Sequence, residues 1–208
     1  MTEYIICKNV IFYLGPADGC KAVTRVYRTL IVGPRNVGKT SLVKRYLYDS
    51  FEESYTATVG VDMSVYDLQF PDGRVVVTVL DLAGAQTFQS LKNRFYWDTH
   101  HIIAVYDITD KSTFETIPNW YNTISEGLCI PGSLALSGCL VANKVDSRMD
   151  NQVDPMEAKL LASLLSWEYY ETSAKSGKNV SELFVHAAIS CRTNPPRSTY
   201  IDTMEMAP

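Results

Sequence analysis

The stretch GPRNVGKT, residues 33–40, follows the apolar run Leu30–Val32 and leads directly into a helical pattern. It fits the pattern G-x-x-x-x-G-K-[ST]. A glycine-rich turn between a strand and a helix directs backbone N–H groups inward, beside the positive end of the helix dipole. In such a turn Lys39 places a charge near the β- and γ-phosphates, and Thr40 offers a hydroxyl to Mg²⁺. The stretch therefore predicts a nucleotide-phosphate site, with these further binding residues: Gly33, Asn36, Val37, Gly38 and Ser41.

The composition narrows the class of protein. With 208 residues, 46% of them hydrophobic, the chain is long enough for one full core. The net charge of −4 comes from well-mixed acidic and basic residues, so no basic stripe suits nucleic acid. Five scattered cysteines without a C-x-x-C pair argue against a disulfide framework or a zinc site. No apolar run is long enough to span a bilayer, so we expect a cytoplasmic protein.

Strand and helix patterns alternate along most of the chain. Residues 63–70 alternate in polarity, and residues 74–80 form a run rich in β-branched residues. With the turn Pro71–Gly73 between them, they predict a hairpin. Further predicted strands are 25–32, 102–106, 140–142 and 167–171; predicted helices are 39–48, 113–126, 154–165 and 178–191. This order predicts an α/β fold, a doubly wound, mostly parallel six-stranded sheet with an antiparallel edge strand.

The two ends of the chain lie outside this regular region. We predict one domain over residues 25–192, preceded by an extension of unknown role over 1–24 and followed by a disordered tail over 193–208. The extension could be an extra edge strand, a partner-binding segment, a mobile arm or the product of a misplaced start in the gene.

A second group of motifs distinguishes the base. Asn143-Lys144-Val145-Asp146 follows a buried strand, and the Asp146 carboxylate can accept hydrogen bonds from guanine N1–H and N2–H₂ while the Lys144 stem packs on the ring. Adenine lacks this donor pair, and a small phosphate-loop kinase would have no use for the motif. Ser173-Ala174-Lys175 can supply a backbone N–H to the guanine O6.

A third group concerns the metal and the γ-phosphate. Asp81-Leu82-Ala83-Gly84 follows the second hairpin strand, where the aspartate can hold Mg²⁺ through an intervening ligand and the Gly84 N–H can meet the γ-phosphate. Thr58 can complete the Mg²⁺ shell. We therefore predict Thr40, Thr58 and Asp81 as metal-site residues and Lys39, Thr58 and Gly84 as residues of the reaction.

In this order and spacing, the motifs resemble those of the Ras superfamily of small GTPases over residues 25–192. The resemblance implies the phosphate-loop small GTPase fold, binding of GTP and GDP with Mg²⁺, and hydrolysis of GTP. It also implies that Phe51 packs on the guanine and that Thr58 is the threonine of the first switch. Phe114 and Trp120 match the third helix of the family.

Two residues near the predicted γ-phosphate depart from the family. Ala85 stands where the family usually has the glutamine that orients the attacking water, and Gln86 lies one residue too far along the turn. Arg35 stands where Ras-type proteins have glycine and Rab types usually a small residue; it is either a solvated side chain or one that helps or blocks hydrolysis. We hypothesise a protein that binds GTP well and hydrolyses it slowly.

The carboxyl end also departs from the family. Rab and Ras proteins that cycle on membranes are lipidated on terminal cysteines, whereas Cys191 is the last cysteine here and seventeen residues follow it. The chain begins Met1-Thr2, without the glycine that myristoylation needs. We therefore expect no direct lipid anchor, and any membrane location would come through a protein partner.

The segments TATVGVD (56–62) and VYDIT (105–109) resemble the Rab branch. Rabs carry phenylalanine and tryptophan beside the hairpin, where this chain has Met63 and Leu80. These two residues either alter the effector surface or pack within the hairpin.

Shorter segments resemble the small GTPase of the intraflagellar transport B complex: YTAT (55–58), YW (96–97), PG (131–132) and LVANK (140–144). This resemblance implies a cytoplasmic protein of the cilium or flagellum, bound to a small β-sandwich partner within the transport complex. The alternatives are a vesicle-trafficking Rab whose carboxyl end is incomplete, and a structural subunit that holds GTP as a static cofactor.

Overall fold

The computed structural model describes residues 3–7, 10–14, 23–53, 58, 60–71, 73–82, 96, 99–128 and 136–193. Its strands are β1 (Glu3–Cys7), β2 (Val10–Leu14), β3 (Val23–Val32), β4 (Val61–Phe70), β5 (Gly73–Leu82), β6 (His101–Asp107), β7 (Gly138–Asn143) and β8 (Glu168–Glu171). Its α-helices are α1 (Lys39–Tyr48), α2 (Lys111–Glu115), α3 (Ile117–Gly127), α4 (Pro155–Leu164) and α5 (Val180–Thr193), and a 3₁₀ helix covers Val145–Asp150.

The sheet confirms the predicted fold class. Six strands lie in the order β4-β5-β3-β6-β7-β8. Strand β4 is antiparallel to β5 at one edge, and all other neighbours in this sheet are parallel. The carboxyl ends of β3, β6, β7 and β8 therefore meet along one edge, where loops of a doubly wound sheet form a ligand site.

Both faces of the sheet are covered, because successive residues of a strand point to opposite sides. Ile31 and Ile103 are fully buried in the cluster that packs beneath α1 and α5. Leu30 and Ile102 are fully buried in the second cluster, beneath α2, α3 and α4. Among the helices described, none combines the length and the apolar character needed to cross a membrane.

The helix predicted over 113–126 is wrong in one respect: it is two helices, which separate at Thr116. Pro118 lies in the first turn of α3, where its missing N–H costs no helical hydrogen bond. Phe114 and Trp120, which match the third helix of the family, are both buried but belong to different helices.

The other predicted bounds differ from the observed ones by at most two residues. The first residue of the predicted strand 167–171 is outside β8 because Trp167 bonds elsewhere. Its backbone N–H donates to the Ala162 carbonyl, and its indole N–H donates to the Leu136 carbonyl at 2.7 Å. Asp154 caps α4, since its carboxylate accepts a hydrogen bond from the Met156 N–H at 2.9 Å.

The amino-terminal residues form a hairpin. Strands β1 and β2 pair with each other in an antiparallel, two-stranded sheet, so neither is an extra edge strand of the main sheet. Strand β3 begins at Val23, two residues before the predicted strand and inside the predicted extension. The tail beyond Thr193 and the turn residue Asp72 lie outside the described residues.

The structure separates the two residues at the altered hairpin surface. Met63 and Leu80 are opposite each other in the antiparallel β4–β5 pair. Leu80 is buried in the cluster beneath α2, α3 and α4, whereas 65% of Met63 is exposed. Packing therefore accounts for Leu80, and Met63 is the residue available on the surface.

A buried histidine lies at the start of β6, against α5. His101 is fully buried, its Nδ1 lies 2.8 Å from the Ser137 hydroxyl, and its Nε2 has no hydrogen-bond partner among the described residues. Its ring centroid is 5.8 Å from that of His186, which also contacts Tyr170. Burial, and then the nearby His186, lowers the pKa of His101 to about 3. Burial also lowers the pKa of His186, against the opposing effect of Glu168.

This arrangement predicts a stability that falls in mild acid. The unfolded chain protonates His101 below pH about 6.5, while the folded protein keeps it neutral, so the stabilisation is complete above that pH and is lost as the pH falls. Between pH 7.5 and 5.5 the wild-type protein should lose about 1.4 kcal/mol more unfolding free energy than His101→Gln. Urea unfolding of both proteins at each pH measures this difference. The same pH dependence in both proteins would contradict the assignment, and His186→Gln shows how much the second histidine contributes.

Candidate functional site

Two glycines of the 33–40 loop are required by the structure. Gly33 has φ +138°, and a Cβ on it would lie 2.1 Å from the Val105 carbonyl oxygen of the neighbouring strand. Gly38 has φ +93°, and a Cβ there would lie 2.3 Å from the Asn143 side-chain nitrogen. Side chains are rarely tolerated at such angles, and neither contact leaves room for one. The loop is therefore shaped by tertiary contacts as well as by its own sequence.

The loop leads into an open end of helix α1, that is, an N-terminus whose N-cap residue makes no side-chain hydrogen bond. Gly38 is the N-cap of α1 and makes no side-chain capping bond, so the first N–H groups of the helix are not satisfied by a cap. The ammonium of Lys39 is buried and donates to the carbonyls of Gly33 and Pro34, at 2.9 and 2.7 Å. Burial lowers the pKa of Lys39 to about 8, with Asp81 opposing the shift. A buried cation beside free N–H groups is suited to an anionic ligand such as a phosphate.

The predicted metal residues lie together. The hydroxyls of Thr40 and Thr58 are 2.9 Å apart, and Thr40 donates a hydrogen bond to one oxygen of Asp81. The other Asp81 oxygen is buried without a partner in the described part of the chain. Burial raises the pKa of Asp81, and the Thr40 bond and the Lys39 charge oppose this. Two hydroxyls beside a buried carboxylate supply oxygen atoms, which are the ligands that Mg²⁺ prefers.

Asn143 connects the phosphate loop to the predicted base loops. Its amide nitrogen donates to the Val37 carbonyl at 2.8 Å. Its side-chain oxygen accepts hydrogen bonds from the Thr172 hydroxyl at 3.1 Å and from the Ala174 N–H at 3.3 Å. Because Asn143 is almost fully buried, these bonds fix the loops after β3, β7 and β8 relative to one another.

The two charged residues of the 143–146 motif are held by neighbours. The Lys144 ammonium pairs with the Asp107 carboxylate at 2.6 Å, which restrains the lysine side chain. The Ser173 hydroxyl donates to the Asp146 carboxylate at 2.5 Å. Asp146 is therefore oriented on one oxygen by the loop that follows β8 and can accept further hydrogen bonds from a ligand.

These loops surround a cavity of about 310 Å³. The predicted residues that line it are Asn36, Gly38, Lys39, Thr40, Ser41, Phe51, Thr58, Asn143, Lys144, Asp146, Ala174 and Lys175. Gly33, Val37, Ser173 and Asp81 are buried beside it and support its walls. Arg35 lines the mouth with an exposed side chain. Gly84, Ala85 and Gln86 lie outside the described residues.

Several residues of the site were not predicted from the sequence. Five more line the cavity: Lys44, Ser50, Glu52, Glu53 and Ser147. The Lys175 ammonium pairs with Glu53 at 2.8 Å, joining the loop after β8 to the segment after α1. Asp107 was also missed as the partner of Lys144. The only sequence signal for Asp107 is its position as a polar residue at the carboxyl end of a buried strand.

The amino-acid sequence is similar to those of several known proteins. The Ras family model matches residues 28–193. The chain is 35% identical to the Ras-related protein Rab-13 of Rattus norvegicus over 164 residues, which is 79% of each protein. It is 30% identical to the Ras-related protein SEC4 of Candida albicans, over 84% of this chain and 81% of SEC4.

It is also 34% identical to the DnaJ homolog subfamily C member 27-A of Xenopus laevis, over 76% of this chain. The matched part of this chain spans only 58% of that relative. The similarity therefore concerns one region of a longer protein.

Proposed function

The chain belongs to the Ras family of small GTPases and is Rab-like, and from this premise we propose that it binds GTP and GDP with Mg²⁺ and hydrolyses GTP slowly. We further propose that it acts in intracellular transport, most specifically in intraflagellar transport in the cilium. Its proposed partners are guanine nucleotide and protein subunits of a transport complex. Nucleotide binding is supported by one observation: Lys39, Asn143 and Asp146 line the same cavity. A phosphate site and a guanine site are thereby joined at one cavity.

The residues divide the work of binding between them. Lys39 and the open end of α1 would face the phosphates, Asp146 would accept hydrogen bonds from the guanine edge, and Phe51 would pack beside the base. Thr40 and Thr58 would hold Mg²⁺, with Asp81 orienting the Thr40 hydroxyl. When bound, Mg²⁺ would neutralise part of the negative charge on the phosphates.

The proposal of slow hydrolysis depends on Ala85. A methyl group cannot donate or accept a hydrogen bond, so it cannot orient the attacking water as a glutamine does. We expect single-turnover hydrolysis of GTP below the intrinsic rate of Ras, which is about 3–5 × 10⁻⁴ s⁻¹, and we expect Ala85→Gln to raise the rate roughly tenfold. Phosphate release from protein preloaded with GTP and Mg²⁺ measures both rates.

Gln86→Ala is the matched control for this experiment. The control should leave the rate unchanged if Gln86 points away from the γ-phosphate. A wild-type rate as fast as that of a glutamine-bearing relative would contradict slow hydrolysis, and a large loss in Gln86→Ala would assign the role to the neighbouring residue.

The transport role is tested by affinity capture from ciliated cells. Tagged protein loaded with GDP or with a GTP analogue should recover subunits of an intraflagellar transport complex. Recovery of vesicle effectors instead would favour a vesicle-trafficking role. Equal recovery in both nucleotide states would mean that GTP is a static cofactor of assembly, because a ligand shifts an equilibrium only through differential affinity.

A further inference from the structure

Arg45 connects helix α1 to the loop that follows β8. Its Nε donates to the Ala174 carbonyl at 2.8 Å, and its Nη2 donates to the Lys175 carbonyl at 2.8 Å. The two acceptors are 129 and 130 residues away in the chain. The guanidinium thus donates from two nitrogens of its planar fork to two successive carbonyls of one loop. A lysine ammonium cannot reproduce this geometry.

The third nitrogen of the same guanidinium is also bound. Nη1 donates to the Asp49 carbonyl at 2.9 Å and pairs with the Asp49 carboxylate at 3.3 Å. Only 18% of the Arg45 side chain is exposed. Because α1 also begins at the phosphate loop, Arg45 joins the helix that carries the phosphate site to the loop that carries the base site.

A second, exposed contact links neighbouring segments. Lys175, whose carbonyl Arg45 holds, pairs with Glu53, and both side chains are more than half exposed. This pair raises the pKa of Lys175 and lowers that of Glu53. Such a surface pair is weak and is screened by salt. The half-buried guanidinium of Arg45 donates to uncharged carbonyls, so it is the part of the connection that is less sensitive to ionic strength.

Resting on the proposed function, we propose that Arg45 is a positioning residue: it fixes the Ser173–Lys175 loop against the base and so limits the rate at which guanine nucleotide leaves. The fork restrains the two carbonyls, and the restraint sets the direction of the adjacent backbone N–H groups that face the guanine O6. Without it the loop keeps its Asn143 and Ser173 contacts but loses its hold on α1.

The experiment measures release of a fluorescent GDP derivative from the full chain with Mg²⁺ and excess unlabelled GDP. Arg45→Ala should accelerate release on the order of tenfold, the loss expected when hydrogen bonds from a charged donor are removed. Arg45→Lys, which keeps the charge but not the fork, should lie between that variant and the wild type. Arg74→Ala is the matched control, because Arg74 forms an exposed pair with Asp67 at 3.0 Å away from the cavity. It should release GDP at the wild-type rate.

A second readout separates positioning from general loosening. The wild type should prefer GDP to 6-thio-GDP, which differs at the atom that the loop faces. In Arg45→Ala this preference should shrink several-fold, while the preference for GDP over IDP, which depends on the Asp146 contact, should change less than about twofold. A structural defect alone would weaken all three nucleotides by one factor.

Release by Arg45→Ala within about twofold of the wild-type rate would overturn the inference. So would faster release with an unchanged preference over 6-thio-GDP. If Arg45→Ala does not fold, Arg45→Lys is tested against the same criteria. A wild-type protein that fails to bind GDP at all would instead refute the proposed function.

Discussion

Lys39→Ala is expected to lower the affinity for GDP by about 100-fold or more, because it removes the buried ammonium beside the open end of α1. In the structure this group is held by the Gly33 and Pro34 carbonyls, which can release it to a phosphate without moving the helix. Isothermal titration with GDP and Mg²⁺ measures the loss.

Lys44→Ala is the matched control for this prediction. Lys44 lies on the same helix and lines the same cavity, but its side chain is 46% exposed and pairs loosely with Glu52 at 3.5 Å. We expect less than a threefold change, as is usual for an exposed charge. Comparable losses in both variants would mean that helix α1 contributes only general positive charge. Tight GDP binding by Lys39→Ala would refute the phosphate site.

Asp146→Asn is expected to change which base the protein binds. The carboxylate accepts from two guanine donors, whereas an amide has one acceptor and one donor group. GDP affinity should therefore fall by about 100-fold, and affinity for xanthosine diphosphate should rise, because xanthine has a carbonyl where guanine has its amino group. Competition of both nucleotides against a fluorescent GDP derivative measures the exchange.

Asp154→Asn controls for the loss of one negative charge. Asp154 is an exposed N-cap of α4, and asparagine caps helices equally well, so stability and base preference should both stay constant. A base preference that is unaltered in Asp146→Asn would show that guanine is not read at this carboxylate. Loss of every nucleotide together would point to a collapsed loop, which the Ser173 contact makes possible to test with Ser173→Ala.

The core that holds these residues in place could be predicted from the sequence because its signals are local. Continuous apolar runs identified β6 and β7. Alternating polarity in β4, a β-branched run in β5 and the turn between them identified the hairpin. The break at Thr116 was missed because the apolar periodicity continues across α2 and α3, and only the proline in the first turn of α3 indicates a boundary.

The sequence alone determined which chemical groups form the site and in what order. A glycine-rich loop, a carboxylate proposed to select guanine and two hydroxyls proposed to hold Mg²⁺ follow from residue type and spacing, so they are visible before folding. Only the tertiary structure decided what holds those groups. Asn143 reaches Val37 across 106 residues, and Arg45 reaches Ala174 across 129. Partners this distant follow no helical or strand period, since their contact depends on how the sheet brings the loops after β3, β7 and β8 to one edge.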